Sequence, residues 1–289
     1  MTWRPLITSL RLHHWVKNLI LFFPALTAYR LTDVAIVGPI ARAFLAFSCT
    51  ASAVYLLNDW LDRPYDRSHP TKRRRPIAAG QIGGLTISTA IVLLLGAAAV
   101  MAYPIGMAFS LILTGYLALT IVYSLLLKRL FLVDVLTLAM FYTLRVFAGG
   151  VAGNIPLSRW LLLFAVFFFF SLALVKRVTE LHTETIQRFH QARSYHLTDR
   201  QFLSGLGIGS AIAVVVIFVF YLRSAEVVAL YQTPSRLWAI LPLLGYWLAR
   251  IWHLAGRRRV DDDPILFALR DPQTYLVAAL VFLVLLWAR

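Results

Sequence analysis

Leu56-Leu57-Asn58-Asp59-Trp60-Leu61-Asp62-Arg63-Pro64-Tyr65-Asp66-Arg67 closes the long apolar run 34–57. That run is long enough to cross a hydrocarbon core about 30 Å thick, which takes ~20 helical residues. In lipid each backbone N–H and C=O needs a partner within its own segment, and a helix supplies one. Strict apolar–polar alternation is absent, which argues against a barrel. The stretch therefore reads as the polar end of a membrane helix. Asn58, Asp62 and Asp66 are spaced by four and Asp59 precedes Asp62 by three, so a continued helix carries all four on one face. Pro64 leaves a second course open, in which the helix ends or bends after Asp62 and Asp66 belongs to the next loop.

The whole chain agrees with that reading. Of its 289 residues, 60% are hydrophobic and only 14% charged, with a mean hydropathy of +0.74. Soluble domains carry more charge. Nine spans are expected, at 16–30, 34–57, 83–102, 105–126, 131–151, 159–178, 202–222, 236–254 and 272–288. The first is short and interrupted by Pro24. The single cysteine, Cys49, excludes an intrachain disulfide and disfavours a thiolate metal site. No cleavable signal peptide is expected, because the run after Lys17 lacks a small-residue cleavage site. The net charge of +15 is better explained by basic cytosolic loops than by nucleic-acid binding.

Charge also orients the spans. With the N-terminus in the cytosol, 21 of the 28 Lys and Arg fall inside, five outside and two (Arg42 and Arg145) within spans. The positive-inside rule selects that orientation, with the C-terminus outside an inner (plasma) membrane. Eleven of the 13 acidic residues lie on the same inner side. The chemistry is therefore expected to face the cytosol, in a single membrane domain over 1–289 with cap loops at 58–82 and 176–201.

Hard oxygen donors at this density suit Mg²⁺, which takes one or two carboxylates, waters and substrate phosphate oxygens. Three carboxylates at a helix C-terminus repel one another and the helix dipole unless a cation compensates. The plain alternative is an acidic helix end paired with nearby arginines. Next comes His69-Pro70-Thr71-Lys72-Arg73-Arg74-Arg75-Pro76-Ile77-Ala78-Ala79-Gly80. Cations beside a metal-binding cluster are what a polyphosphate substrate requires, although the positive-inside rule alone accounts for some of them.

Asn-Asp-x-x-Asp-x-x-x-Asp at the end of span 2 of a nine-span chain resembles the UbiA superfamily of membrane prenyltransferases. The branch resembled is the decaprenyl-phosphate phosphoribosyltransferases. That narrowing rests on Pro-Thr-Lys-Arg-x-Arg-Pro-Ile-Ala-x-Gly, Trp15-x-Lys17-Asn18, Tyr123-Ser124 with Lys128, Asp134 with Arg145, and Lys176-Arg177-x-x-Glu180-Leu181. The resemblance implies an all-α integral membrane bundle around a central cavity open to the cytosol. It implies Mg²⁺ on Asn58, Asp62 and Asp66, with Asp59 in support. It also implies transfer of 5-phosphoribose from 5-phosphoribosyl 1-diphosphate to a polyprenyl phosphate. Substrate contacts are expected from Lys17, Asn18, Lys72, Arg73, Arg75, Tyr123, Lys128, Asp134, Arg145, Lys176, Arg177 and Glu180. There is one departure. Members that use prenyl diphosphates carry a second Asp-x-x-x-Asp near span 6, where this chain has Lys176, Arg177 and Glu180. Fewer carboxylates and more cations favour a donor with an additional phosphate.

Bland readings stand beside several of these. Asp134 and Arg145, eleven residues apart, fall on one helix face. Asp134 is expected to orient a cation or a ribose hydroxyl and Arg145 to meet phosphate, unless both are structural partners of other spans. Tyr123 and Lys128 also suit an interfacial anchor. His182, Glu184, His190 and His196 are too irregularly spaced for zinc. Two other functions fit less well: transfer of a polyprenyl group from its diphosphate to a small aromatic or other acceptor, and membrane transport, which the charge-poor outer loops disfavour.

Overall fold

The computed structural model of the chain describes residues 3–181, 195–260 and 263–288. Among them the regular structure is entirely helical and no strand occurs. Ahead of the first long helix lie α1 (Arg4–Leu10), a 3-10 helix (Leu12–Phe22) and α2 (Phe23–Thr27). Then follow α3 (Val34–Leu61), α4 (Arg63–Ser68), α5 (Gly84–Ala102), α6 (Met107–Leu125), α7 (Val133–Ala152) and α8 (Arg159–Glu180). The rest are α9 (Arg200–Leu222), α10 (Ala225–Leu230), α11 (Ile240–Gly256), α12 (Pro264–Ala268) and α13 (Pro272–Ala288). Among the described residues seven helices are long and apolar enough to cross a membrane, and α13 is a shorter apolar helix. The protein is a multi-pass, all-helical membrane protein.

The expected first span, 16–30, is not one continuous α-helix. Its first part is the 3-10 helix Leu12–Phe22, and Pro24 sits in the opening turn of α2. Proline lacks the N–H an α-helical interior needs, so the helix restarts at Phe23 with Pro24 in its first turn. A 3-10 run of this length has poor hydrogen-bond geometry of its own; here Asn18 and Leu21 are buried and tertiary contacts hold it.

The described chain forms two compact units. One comprises 1–125 and 144–156, the other 126–143 and 157–289, with α7 continuous through the division. In the first unit α3 packs along α5 and receives the 3-10 helix. Gly149 on α7 lets the 3-10 helix lie close against α7 as well: a Cβ there would lie 2.0 Å from the Leu21 carbonyl oxygen. Asp33 caps α3, its Oδ1 accepting from the Ala35 amide at 3.0 Å, which satisfies one of the unpaired first-turn donors.

In the second unit α8 packs chiefly on α9. Trp252 Nε1 donates to Ser171 Oγ (3.0 Å), which donates to the Gly207 carbonyl (2.9 Å). A Cβ at Gly207 would lie 2.1 Å from the Trp252 ring, whereas one at Gly205 would meet nothing within 4 Å. The two glycines should respond with opposite signs. Gly207→Ala forces overpacking and should cost about 3 kcal/mol, while Gly205→Ala should be neutral or gain up to about 1 kcal/mol of helix propensity. Denaturation of the detergent-solubilised variants distinguishes them.

A small apolar cluster fastens the loop after α4. Ile77 and Ile82 pack with Leu56 of α3 and Ile87 of α5, flanked by Leu6, Leu10, Ala90, Ile91 and Leu94. Each buried isoleucine contributes roughly 1.5–3 kcal/mol, so the basic stretch is pinned from beneath at two points. Turn hydrogen bonds do the rest: the Ala79 amide donates to Arg75 (2.8 Å) and the Gln81 amide to Pro76 (2.9 Å). Gly80 adopts a left-handed φ of 75° with the Arg63 and Arg67 guanidinium groups beside it. That region favours glycine.

Candidate active site

The helix carrying the acidic residues ends at Leu61 with Asp62 as its cap and restarts at once as α4. The Asp62 amide donates to Asn58 O and the Asp66 amide to Asp62 O, each at 2.8 Å. Pro64 falls in the opening turn of α4, where its missing N–H costs nothing. Asp66 is therefore helical and not part of the loop, and Asn58, Asp62 and Asp66 occupy successive turns.

Their surroundings differ. Asp59 (6% exposed) and Asp66 (3%) are buried. Arg11 NH2 donates to both Asp59 oxygens, at 2.8 and 3.0 Å. Arg75 NH1 donates to Asp59 Oδ1 at 3.1 Å and to Asp66 Oδ2 at 2.8 Å. Asn58 and Asp62 are half-buried, and among the described residues neither side chain makes a hydrogen bond. As the side chains lie, no three His, Cys, Asp or Glu of the described residues are grouped closely enough to hold a metal ion. The donor set still fits Mg²⁺. It offers an unengaged amide and carboxylate, a further carboxylate one turn on, and a stand-in cation, the Arg75 guanidinium, already between Asp59 and Asp66. Magnesium asks the protein for only one or two carboxylates.

Lys72 and Arg73 occupy an exposed 3-10 turn, Lys72–Arg74, and Arg75 is half-buried behind it. His69 organises the turn: its Nδ1 accepts from the Thr71 and Lys72 amides, both at 3.3 Å. Desolvation, with the nearby Lys72 charge, lowers its pKa below the ordinary histidine value. The neutral imidazole that accepts these bonds is thus the favoured form. Arg67 Nε donates to the Ala78 carbonyl at 3.0 Å, tying α4 to the loop.

Also in this unit, Lys17 is half-buried on the 3-10 helix. Its neighbour Asn18 is buried, its Oδ1 accepting from Arg145 Nε at 2.7 Å and its Nδ2 donating to Ser48 Oγ at 2.9 Å. Arg145 NH2 donates to the Tyr116 hydroxyl at 2.7 Å, and the guanidinium lies 4.9 Å from that ring. Tyr123 is half-buried in the last turn of α6.

The second unit holds the other half of the expected set. Asp134, fully buried in the first turn of α7, accepts from Arg177 NH2 and from the Tyr195 hydroxyl, and the Val135 amide donates to it at 2.7 Å. Arg177 also donates to Glu180, one turn on along α8. Tyr195 stacks beneath the guanidinium at 5.0 Å and accepts from the Leu132 amide at 3.0 Å. Burial and the hydrogen bond to Asp134 push the Tyr195 phenol well above its ordinary pKa, so it remains a donor. Lys176 and Lys128 are half-buried. The hydrogen bonds described for Asp134 and for Arg145 go to different partners. His182, Glu184 and His190 lie outside the described residues, as does the middle of the expected cap loop 176–201. His196 enters a local cap, its amide donating to Asp199 at 2.8 Å.

Sequence reasoning missed Arg11, Tyr116 and Tyr195. Arg11 stands 48 residues from Asp59 and Tyr195 stands 61 from Asp134. No local spacing signals such pairs. Arg11 has a left-handed φ of 52°, which is uncommon outside glycine; it ends α1 and lies 5.0 Å over the Tyr55 ring.

Membrane-crossing helices with a carboxylate-rich helix end beside a pinned basic loop define a membrane-embedded protein with a densely charged helix end. The chain belongs to the UbiA prenyltransferase family, whose match covers residues 19–275. It is 38% identical to protein y4nM of Sinorhizobium fredii over 95% of its own length, and spans about half (54%) of that longer protein. It is 32% identical to the nodulation protein NoeC of Azorhizobium caulinodans, over 94% of this chain and 91% of that one. Decaprenyl-phosphate phosphoribosyltransferase of Corynebacterium glutamicum is 31% identical, over 87% of this chain and 76% of that one. A UbiA homologue from Archaeoglobus fulgidus, solved with GPP and Mg²⁺, shares the fold with a TM-score of 0.72. It is 17% identical, over 96% of this chain and 97% of that one.

Proposed function

We propose that this protein transfers 5-phosphoribose from 5-phosphoribosyl 1-diphosphate to a decaprenyl-type polyprenyl phosphate, releasing diphosphate, at the cytosolic face of a plasma membrane. One observation carries the choice of donor. Asp134 and Glu180, the acidic residues beside Lys176 and Arg177, are both engaged by Arg177. A second metal-binding aspartate pair, which a prenyl diphosphate donor calls for in this family, is replaced by cations. Similarity to a decaprenyl-phosphate phosphoribosyltransferase supports the same reading.

In this mechanism a lipid phosphate oxygen bonds to the ribose anomeric carbon as the bond from that carbon to the diphosphate oxygen breaks. Mg²⁺ on Asn58, Asp62 and Asp66 would supply positive charge to the leaving diphosphate. Lys72, Arg73 and Arg75 take the remaining charge through charge-assisted hydrogen bonds. Lys17, Tyr123, Lys128 and Lys176 serve the other phosphates. The nucleophile is already anionic, so no strong general base is needed. Asn18, Asp134 and Arg145 are enclosed and act by positioning: Asn18 and Arg145 brace the 3-10 helix beside Lys17, while Asp134 and Glu180 hold Arg177. The chain works as one membrane domain, N-terminus inside.

Labelled phosphoribosyl diphosphate with polyprenyl phosphate, run beside labelled polyprenyl diphosphate with an aromatic acceptor, tests this. Ribosyl transfer dependent on Mg²⁺ is expected. Prenyl transfer without ribosyl transfer would sink the proposal in favour of prenyl transfer. Liposome flux without turnover of either donor would point to a transporter.

A further inference from the structure

We propose that Arg75 is the resident counter-cation of the acidic cluster, and that metal and diphosphate enter by exchange with it. The guanidinium leaves Asp59 and Asp66 as the metal arrives, and takes diphosphate oxygens as its new partners. This rests on the magnesium reading above and deepens it.

The geometry points to exchange and not to a static ion pair. A single nitrogen, Arg75 NH1, serves two carboxylates, at 3.1 Å from Asp59 Oδ1 and 2.8 Å from Asp66 Oδ2. The carboxylates are the fixed members. Both ride on helices, and their side chains are 8% and 5% exposed. Arg75 is the movable one: it extends from a loop and its side chain is 31% exposed. Its backbone stays anchored, because Pro76 is followed by the buried Ile77. The side chain can therefore swing about a stationary base.

The two carboxylates are not equivalent once Arg75 has gone. Asp59 keeps Arg11, which binds both its oxygens. Asp66 accepts a side-chain hydrogen bond from no other described residue, so it alone becomes fully available. The donors then open are Asn58, Asp62 and Asp66, three successive helical steps, with Asp59 excluded by Arg11. A divalent ion on Asp66 weakens that carboxylate's hold on the guanidinium, because the two like charges brought onto one group repel. Diphosphate oxygens on the metal offer the displaced guanidinium a bidentate partner. Metal and diphosphate thus bind with positive coupling, and the cluster resists metal until the donor comes with it.

The test measures metal binding without donor. Mn²⁺ titrations followed by electron paramagnetic resonance are run on the purified full chain in nanodiscs: wild type, Arg75→Gln, Arg75→Lys and Asp62→Asn. Exchange predicts that Arg75→Gln binds Mn²⁺ alone about tenfold more tightly than wild type, yet binds diphosphate more weakly when metal is saturating. Arg75→Lys retains charge on a shorter side chain without the planar fork, so its metal affinity falls between the two. It also guards against a glutamine variant that folds poorly with Asp59 and Asp66 left uncompensated. Unchanged or weaker metal binding in both Arg75 variants, with binding still lost in Asp62→Asn, overturns the exchange and leaves the metal assignment standing. Absence of saturable binding in wild type and both Arg75 variants removes the metal assignment and the exchange together.

Discussion

Asp62→Asn is expected to reduce turnover at saturating donor by about a hundredfold or more, the scale of losing one preorganised charge contact to the leaving group. The substitution should leave the fold intact. Asp62 caps the end of α3 and opens α4, and its side chain makes no hydrogen bond with any described residue. Asparagine is isosteric and removes only charge. The unequal neighbours sharpen the comparison: Asp59→Asn breaks pairs with both Arg11 and Arg75, and Asp66→Asn breaks one with Arg75. Those two should lose stability as well as activity. Turnover and melting temperature measured together separate the cases. Near wild-type turnover in Asp62→Asn would refute the metal assignment.

Asp134→Asn is expected to be the most destabilising single isosteric change, at about 3–5 kcal/mol. The carboxylate is fully buried and the Arg177 side chain is 3% exposed. Removing the charge leaves a buried guanidinium with Glu180, whose side chain is 18% exposed, as its remaining acidic partner among the contacts described. The Tyr195 hydroxyl loses its ionised acceptor at the same time. Denaturant or thermal unfolding of the solubilised protein gives the magnitude. A loss below about 1 kcal/mol would mean that water or other groups compensate Arg177, since that is the range of exposed pairs.

Much of the fold was legible in residue order. The runs beginning near residues 34, 84, 107, 133, 159, 200 and 240 all became long helices, because membrane burial demands apolar length and length survives any packing arrangement. The departures came where local chemistry admitted two answers. Pro24 truncates the first span, as its position warned. Pro64 suggested that the helix ends or bends after Asp62, and α3 does end there; but Pro64 falls in the opening turn of α4, where proline is harmless, so Asp66 is helical and not part of the loop. That outcome depends on register to a single residue, which periodicity cannot resolve.

The acidic cluster was found from spacing alone, since residues four apart on a helix must share a face. Its electrostatic state was not. Whether the carboxylates hold arginine, and which of them do, depends on Arg11 arriving from 48 positions away and on a loop pinned by Ile77 and Ile82. Asp134 and Arg145 show the limit most clearly. Their shared face suggested joint duty. The structure instead gives Asp134 to Arg177 and Tyr195, and Arg145 to Asn18 and Tyr116.

From its residues alone, this chain had to be a multi-pass helical membrane protein with an acidic helix end followed by a basic loop, because hydrophobic length and helical spacing are local properties. Tertiary structure alone decided which carboxylates are committed to arginine and which stand open. Charge pairing is a matter of distance in space, and the partners that settle it lie far apart along the chain.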